Sequence, residues 1–285
     1  MSLFKKAPRL DPPKLVRQVL PVPNSEGSVA VWTDDALFQK AGVRVAFSER
    51  SGGVSTGGYA SLNTATHVED DPGCVRENRD RLMAALGLAG VPLVVPKQVH
   101  GDRVLPLRQA SAQAVESYRD EAGKGADALL IEARGVAALM NFADCVPLVI
   151  VAPSGRFAVV HAGWRGVENG IAVKALHQLM LGEPGLAVDA AHVNVYRGAH
   201  IHAECFETGP DVYDLFINQF GNQVAFDATH IDLARALDQS LVHAGVDPQR
   251  IADVGACTVC DNEHWFSYRA QGGTCGRHAA ICAAL

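Results

Sequence analysis

The stretch FADCVPLVIVAP, residues 142–153, is followed eight residues later by HAGWRG, residues 161–166. Buried apolar runs usually end in turn residues such as glycine, proline or asparagine. These two segments instead place Cys145 and His161 at the ends of apolar runs. Cysteine and histidine are good metal ligands, and together they also form nucleophile–base pairs. The two runs therefore predict core strands that deliver reactive side chains at their ends.

Neighbouring segments extend this pattern in both directions along the chain. Three apolar runs follow one another with short links, ADALLIEA (126–133), VAALMNFA (136–143) and PLVIVA (147–152), and FAVVH (157–161) is read as a fourth strand. Short links favour antiparallel pairing of consecutive strands, because a parallel connection needs a crossover of a dozen residues or more. The sequence thus predicts a largely antiparallel sheet around Cys145 and His161.

The rest of the chain alternates strand and helix signals without internal repeats. Asp71 and Pro72 predict the first cap and first turn of a helix that ends at Gly87. Residues 1–27 are proline-rich and polar and predict an extended arm or edge, and we interpret 28–285 as one mixed α/β catalytic domain. Further strands are expected at 43–50, 91–96 and 250–258, and further helices at 167–181, 210–220 and 229–244.

Composition excludes several classes of protein. The 285 residues are 48% hydrophobic and 20% charged, a composition that is ordinary for a globular protein. The formal net charge is −6, which gives no electrostatic reason to expect nucleic acid or a membrane surface as partner. No apolar run has the length of a membrane span, and the N-terminus lacks the apolar core of an export signal. Seven cysteines in such a chain indicate a reducing cytoplasm rather than a disulfide framework.

Three residues at predicted element ends form a candidate metal site. His100 in KQVHGDRV is expected at the end of a strand, Cys145 in a link between strands, and His161 before a glycine turn. Imidazole and thiolate suit zinc, and three protein ligands leave a fourth position open, as in catalytic sites. The spacing fits no short metal motif, so from the residues alone these side chains could also be merely packed or hydrogen-bonded.

A wider set of motifs resembles one known family. FSERSGGVSTGGYASLNTATHVEDDPGCVRENRDRL, PKQVHGDRV, GADALLIEA, NFADCVPLVIVAP, FAVVHAGWRG and ACTVCDNEHWFSYR cover about residues 43–278 and look like the YfiH/laccase-domain-containing family. The resemblance implies a layered α/β/β/α fold with mixed, largely antiparallel sheets. It also implies a purine nucleoside phosphorylase that deaminates adenosine and cleaves methylthioadenosine, in a family first described as multicopper polyphenol oxidases. It implies that His100, Cys145 and His161 hold the metal, which we expect to be zinc, with copper as the alternative.

Phosphorolysis needs a phosphate-binding group beside the ribose. Arg50, on the glycine-rich loop 51–63, is the first candidate, because a guanidinium group binds phosphate and glycine-rich loops present backbone N–H groups. Arg165 is the second, because it opens the predicted helix after HAGW and helix N-termini attract anions. Either arginine could instead form a surface ion pair.

Deamination needs a proton shuttle, and several polar residues near the predicted ligands could supply it. Asp144, beside Cys145, and Asp127 are candidates, although either could merely orient a histidine. Gln98 could hydrogen-bond the base or position the loop before His100, and Asn63 is a further substrate candidate.

One segment departs from the family pattern. Where family members read G-P-x-I-G-x-C-C-Y-E-V-G, residues 197–209 read RGAHIHAECFETG, so that one glycine is lost and His200 and His202 appear. On a strand two such histidines face the same side and could bind a second metal, or could be ordinary surface residues. We interpret Cys257 and Cys260, in a C-x-x-C pair, as reduced packing cysteines with a redox role as the alternative. Cys74 is expected to be structural.

Three other functions remain open on the sequence alone. His100, Cys145 and His161 could hold one copper ion in an oxidoreductase, although only one H-x-H pair, at 200–202, is present. Cys145 and His161 could also act without metal as the nucleophile and base of a hydrolase or deamidase. The chain could finally be a binding module without activity.

Overall fold

The computed structural model describes residues 10–181 and 189–285, which form two six-stranded sheets. Their orders are β1-β2-β3-β12-β7-β4 and β11-β10-β8-β9-β6-β5. Seven of the ten strand pairings within the described residues are antiparallel. The strands are β1 (Val16–Pro21), β2 (Ser28–Thr33), β3 (Val43–Ser48), β4 (Leu93–Val94), β5 (Val104–Leu107), β6 (Ala128–Ile131), β7 (Val136–Phe142), β8 (Val146–Val151), β9 (Phe157–Ala162), β10 (Asn194–Arg197), β11 (Ile251–Asp253) and β12 (His278–Ala284).

Helices cover the outer faces of both sheets. Along β9, Phe157 and Val159 pack into the core between the sheets, whereas Ala158 and Val160 pack against the helices on the other face. Both faces of the strand are therefore buried, which explains its continuous apolar sequence. The helices are α1 (Asp35–Ala41), α2 (Pro72–Ala85), α3 (Ala112–Gly123), α4 (Trp164–Glu168), α5 (Ile171–Met180), α6 (Pro210–Phe220) and α7 (Leu233–His243).

The layered α/β fold that the sequence predicts is confirmed, with α2 packed on the first sheet and α4 to α7 on the second. Asp71 caps α2 through hydrogen bonds to the backbone N–H groups of Gly73 and Cys74, as its position before Pro72 predicts. No helix in the described ranges is both long enough and apolar enough to cross a membrane.

The antiparallel pairing predicted for the three closely spaced runs is wrong at both links, β6 to β7 and β7 to β8. β6 and β8 belong to the second sheet, whereas β7, between them in sequence, belongs to the first. Only β8 and β9 pair directly, in antiparallel register from Val146 opposite Ala162 to Val151 opposite Phe157. The chain crosses between layers after β6 and again after β7, and equally apolar strands give no signal of which sheet they join.

Several element boundaries also differ from the sequence predictions. The helix expected over 167–181 is two helices, because Gly170 between α4 and α5 adopts a left-handed backbone with φ of 71°. α7 begins at Leu233 rather than 229, because residues before its cap Asp232 form isolated β-bridges. The late strand is limited to Ile251–Asp253. Residues 16–21 of the proposed arm form edge strand β1, and residues 1–9 lie outside the described residues.

Candidate metal and nucleoside site

His100 lies on a loop that one buried carboxylate holds in place. Asp127 is completely buried and accepts hydrogen bonds from the backbone N–H groups of Val99, His100 and Gly101 at 2.8–3.2 Å. His100 itself has a φ of 57°, which is uncommon for a residue with a side chain. The histidine therefore lies on a loop between β4 and β5, six residues beyond the strand end at which the sequence placed it.

Cys145 lies in the tight turn between β7 and β8, which belong to different sheets. The turn residue before it, Asp144, has a φ of 91°. The Asp144 carboxylate accepts hydrogen bonds from Thr258 Oγ1 at 2.6 Å and from the Arg269 backbone N–H at 2.7 Å. These contacts tie the turn to the C-terminal part of the chain and fix the direction of the Cys145 side chain.

His161 comes from β9 and is almost fully buried, with 3% of its surface exposed. Its Nδ1 lies 2.8 Å from Asp127 Oδ1, the same carboxylate that holds the His100 loop. A histidine bound through Nδ1 to a carboxylate presents Nε2 as a lone-pair donor. One carboxylate thus orients both histidines of the site.

The three side chains converge as the sequence hypothesis requires. Ligand atoms of His100, Cys145 and His161 all lie within 4.8 Å of one another. The two imidazole rings meet edge to face with centroids 4.8 Å apart. A Cβ atom on Gly163 would come within 3.1 Å of Cys145 Sγ and 3.3 Å of His100 Cδ2, so the glycine leaves the space that these side chains occupy.

Electrostatics favour the thiolate and a charged imidazole in the free site. Burial opposes ionisation of Cys145, but His161 and His100 outweigh it and lower the pKa of the thiol to about 6. Burial likewise opposes protonation of His161, but Cys145 and Asp127 raise its pKa to about 9. For Asp127 the penalty of burial is outweighed by hydrogen bonds from His161 and Gly101, which hold its pKa below the ordinary value.

The donor set fits a divalent metal ion. Two imidazoles and one thiolate at this spacing match the three-ligand pattern of catalytic zinc, which leaves a fourth position for water or substrate. Copper(II) binds the same nitrogen and sulfur donors and generally with higher affinity. The residues therefore indicate a metal site, and the ligand types alone leave the choice between zinc and copper open.

The cluster opens into a cavity of about 440 Å³. This volume lies within the range of about 300–1,000 Å³ that is usual for small-molecule sites. Its walls combine metal-binding, aromatic and cationic side chains from distant parts of the chain. They include His67, Gln98, His100, Asn141, Asp144, Cys145, His161, Ile201, Phe206, Tyr268, Arg269 and Arg277.

Asp144 and Gln98 line the cavity, as a role in catalysis requires. The Gln98 amide, however, donates to the Asn141 carbonyl and accepts from the Asn141 N–H, both at 2.8 Å. Its hydrogen-bonding capacity is largely used by the wall of the cavity. Asp127 lies behind His161 rather than in the lining.

Three other residues that the sequence suggested for substrate binding are not brought into the lining. Arg50 donates to the backbone carbonyls of Ala60 and Asn262, at 3.0 and 2.8 Å. Arg165 is exposed and stacks on the Trp164 ring. Asn63 is completely buried, and its Oδ1 accepts the Arg277 backbone N–H at 2.9 Å.

Sequence reasoning missed the cationic and aromatic groups of the cavity. Tyr268 and Arg269 lie in the motif NEHWFSYR, to which no role could be given without the fold. Arg277 precedes β12, a central strand whose alanine-rich sequence HAAICAA gives a weak strand signal. The two arginines have no carboxylate partner within the described part of the chain.

His200 and His202 have separate environments. His200 is buried, and its Nδ1 lies 3.0 Å from the Gly198 carbonyl oxygen. Burial, reinforced by Arg197, lowers its pKa to about 4. His202 lies 3.7 Å from Glu204. The two rings are 4.9 Å apart, yet the clusters of metal-binding groups among the described residues do not include this pair.

Comparison with known proteins gives a consistent result across sequence and structure. The chain is 33% identical over 246 residues to a purine nucleoside phosphorylase of Corynebacterium glutamicum, covering 84% of this chain and 93% of the relative. It is also 33% identical over 241 residues to adenosine deaminase RL5 of an unknown prokaryotic organism, covering 81% and 90%. The crystal structure of YlmD from Geobacillus stearothermophilus superposes with a TM-score of 0.75 at 31% identity, covering 86% of this chain and 92% of that one.

A further crystal structure, the hypothetical protein YfiH of Bacillus licheniformis, superposes with a TM-score of 0.79 at 25% identity, covering 90% of this chain and 96% of that one. A family model described as multi-copper polyphenol oxidoreductase laccase matches residues 44–284, which include all three candidate metal ligands. By this match and by its relatives, the chain belongs to the YfiH/laccase-domain family.

Proposed function

We propose that this chain is a zinc-dependent purine nucleoside phosphorylase that acts on adenosine, inosine and methylthioadenosine and also deaminates adenosine. The observation that carries the proposal is the shared cavity of the His100, Cys145 and His161 cluster, two guanidinium groups and two aromatic rings. The printed names of the relatives, purine nucleoside phosphorylase and adenosine deaminase, support the same substrate class.

The cavity lining changes the assignment of the phosphate-binding residue. Arg269 and Arg277 line the cavity beside the cluster, whereas Arg50 does not. All three guanidinium groups also donate to backbone carbonyls, so their position relative to the cavity decides the assignment. A cation without a carboxylate partner is suited to an oxyanion that charge-assisted hydrogen bonds can hold. We therefore assign phosphate binding to Arg269, with Arg277 beside it, and assign stacking on the purine to Tyr268 and Phe206.

The protein residues have defined tasks in this proposal. His100, Cys145 and His161 would hold the ion, which supplies Lewis acidity and a water of lowered pKa. Asp127 keeps His161 in the tautomer that presents Nε2 to the cavity. Asp144 is the carboxylate nearest in sequence to Cys145 and is our candidate for moving a proton, while Gln98 holds the Asn141 edge of the pocket.

Product analysis tests this function. The purified enzyme is incubated with adenosine, inosine or methylthioadenosine, each with and without inorganic phosphate, and the products are separated by chromatography. We expect free base and ribose phosphate only when phosphate is present, and inosine from adenosine in either condition. Absence of both products from zinc-loaded protein would contradict the proposal.

A metal-free Cys-His enzyme is the second candidate, and one contact favours it. The Asp127 carboxylate orients the His161 imidazole, which lies beside the Cys145 thiol. The pKa of that thiol is lowered. This is the arrangement of a cysteine nucleophile with its base. Polyphenol oxidation by copper is the third candidate, carried by the family description.

Charge and cysteine content support our proposal for the partners and the compartment. We propose purine nucleosides and phosphate as ligands, without nucleic acid or membrane partners, because the net charge of −6 repels polyanions. A reducing cytoplasm agrees with the seven cysteines, all of which are free thiols.

A further inference from the structure

A second group of metal-binding side chains lies outside the catalytic cluster. Glu204, Cys205, Cys257 and Cys260 place one carboxylate oxygen and three sulfur atoms within 4.8 Å of one another. We call these four residues the thiol cluster. Its cysteines come from two segments about fifty residues apart, so the grouping is produced by the fold and not by one short motif.

Backbone contacts hold the two segments side by side. His200 and Cys257 form an isolated parallel β-bridge, in which the Thr258 N–H donates to the His200 carbonyl at 3.0 Å. Cys205 ends the short 3₁₀ turn Ala203–Cys205 that follows this bridge. On the other segment, the Asp261 N–H donates to the Cys257 carbonyl at 2.9 Å and closes the C-x-x-C turn. The sulfur atoms therefore meet on a framework of main-chain hydrogen bonds.

The geometry of the sulfur atoms suits a shared cation. Cys205 Sγ lies 3.4 Å from Cys260 Sγ, too far for a disulfide bond of about 2.0 Å. Two thiolates on one tetrahedral zinc ion, each bonded at about 2.3 Å, lie about 3.8 Å apart. The His202 backbone N–H also donates to Cys257 Sγ at 3.4 Å, a contact that stabilises a sulfur ligand carrying negative charge.

We propose that Cys205, Cys257 and Cys260 bind a second, structural zinc ion, with the Glu204 carboxylate as the fourth ligand. Three thiolates select a soft or borderline divalent ion, and a fourth protein ligand closes the coordination sphere against substrate. This site is separate from the proposed catalytic ion and does not depend on the proposed reaction. It replaces the earlier sequence interpretation of Cys257 and Cys260 as packing cysteines.

The ion would stabilise one wall of the nucleoside cavity. The Arg269 guanidinium donates to the carbonyls of Cys205 and Glu207, both at 3.1 Å, and Thr258 binds Asp144. Ile201 and Phe206, which flank the thiol cluster in sequence, line the cavity directly. Binding of zinc at the cluster would thus fix the segment that positions Arg269.

Metal analysis of matched variants tests the second site. The full chain is expressed with zinc, purified with a reductant and assayed by elemental mass spectrometry. We expect two zinc ions per chain in the wild type and in Cys74→Ser, whose cysteine is remote in sequence from both clusters. Cys260→Ser and His161→Ala should each retain one ion, and the double variant should retain none. An unchanged zinc content in Cys260→Ser would overturn the proposal.

A measurement on the unaltered protein covers the case in which Cys260→Ser does not fold. The wild-type chain is loaded with cadmium-113 and examined by NMR. Two resonances are expected, of which the one from the thiol cluster lies at the chemical shift of a sulfur-rich site. A single resonance that disappears in His161→Ala would overturn the second site while leaving the catalytic ion in place. A Cys205–Cys260 disulfide in wild-type protein that holds only one ion would also overturn it.

Discussion

Asp127 Oδ1 lies 2.8 Å from His161 Nδ1, and the same carboxylate accepts the backbone N–H groups of the loop that carries His100. One buried acid therefore connects two of the three candidate ligands. From the sequence, Asp127 could equally be a proton shuttle or a residue that orients a histidine. In the structure it lies behind the His161 imidazole and orients the ring.

Asp127→Asn should weaken zinc binding. The asparagine NH₂ group would face backbone N–H donors, so part of the network would lose its acceptor. Loss of a carboxylate behind a histidine ligand typically costs about 10–100-fold in metal affinity. Competition with a chelator measures the affinity. The control is Asp102→Asn, on the same loop, whose carboxylate pairs with Lys174 at the surface. Equal zinc affinity in both variants would contradict the orienting role.

Gly163→Ala should disturb the metal site without changing any ligand. The backbone of Gly163 is compatible with alanine, with a φ of −72°, so only the new methyl group matters. It would press on Cys145 Sγ from 3.1 Å. Overpacking of this kind costs about 1–3 kcal/mol, and we expect zinc affinity to fall by roughly tenfold or more. Gly123→Ala is the control, since nothing lies within 4 Å of the added atom. Unchanged zinc affinity in Gly163→Ala would contradict the prediction, because it would show that Cys145 and His100 can move away from the added methyl group at no cost.

The motifs of the sequence were enough to name the three side chains that the fold brings together, but not the cavity around them. Cys145 and His161 follow apolar runs whose residue types indicate buried strands, and that local signal survives folding. The phosphate assignment required knowing which arginine reaches the cavity. Arg50 follows from its place beside a glycine-rich loop, whereas no local signal marks Arg269. Packing of the segment around Tyr268 against the turn at Asp144 brings Arg269 to the cavity.

Sheet membership was also beyond the sequence. β6, β7 and β8 are similar apolar runs, and each is buried on both faces. A strand buried on both sides lacks the alternation that would reveal its orientation or its layer. The order of strands depends on long-range partners such as β12, which lies at the C-terminal end of the chain and pairs with both β3 and β7.

Arg269→Gln should reduce phosphorolysis more than deamination. Only phosphorolysis needs a bound oxyanion, and a charge-assisted hydrogen bond contributes about 1.5–3 kcal/mol, equivalent to roughly tenfold or more in rate. The comparison uses the initial rates of phosphorolysis and deamination of adenosine. The phosphate concentration is varied in the phosphorolysis assay. Arg165→Gln serves as the control, because that guanidinium is exposed and stacks on Trp164. If Arg50→Gln alone produced the selective loss, the assignment made from sequence would be restored.

His278 should make the fold sensitive to mild acid. The ring is buried beside Phe142 and Trp265, without a hydrogen-bond partner among the described residues. Burial lowers the pKa of the ring to about 3, below the value of about 6.5 in an unfolded chain. The unfolded state therefore binds more protons between pH 6.5 and 3, and stability falls as the pH is lowered through this range.

Lowering the pH from 7 to 5 should reduce the free energy of unfolding by about 2 kcal/mol through His278 alone. Urea unfolding of the metal-free wild type and of metal-free His278→Leu, at both pH values, isolates the effect. His200 titrates in the same direction but is present in both proteins, so its contribution cancels. If the stability of the two proteins depended on pH in the same way, folding would not lower the pKa of His278. The ring would then have a proton acceptor in the folded protein in solution.

Alkylation of Cys145 distinguishes the metal site from a metal-free nucleophile. In the zinc form the thiolate is bound and shielded, so a reagent such as iodoacetamide should modify it slowly until a chelator removes the ion. Without metal, the lowered pKa of about 6 leaves the thiol largely ionised at pH 7, and modification should be fast. Peptide mass spectrometry follows the site, with Cys74 as an internal reference, because burial and Asp71 raise the pKa of that thiol. Cys145→Ser should lose the catalytic ion and activity together. Rapid alkylation of untreated protein with no change in metal content would instead assign the chain to the metal-free Cys-His class.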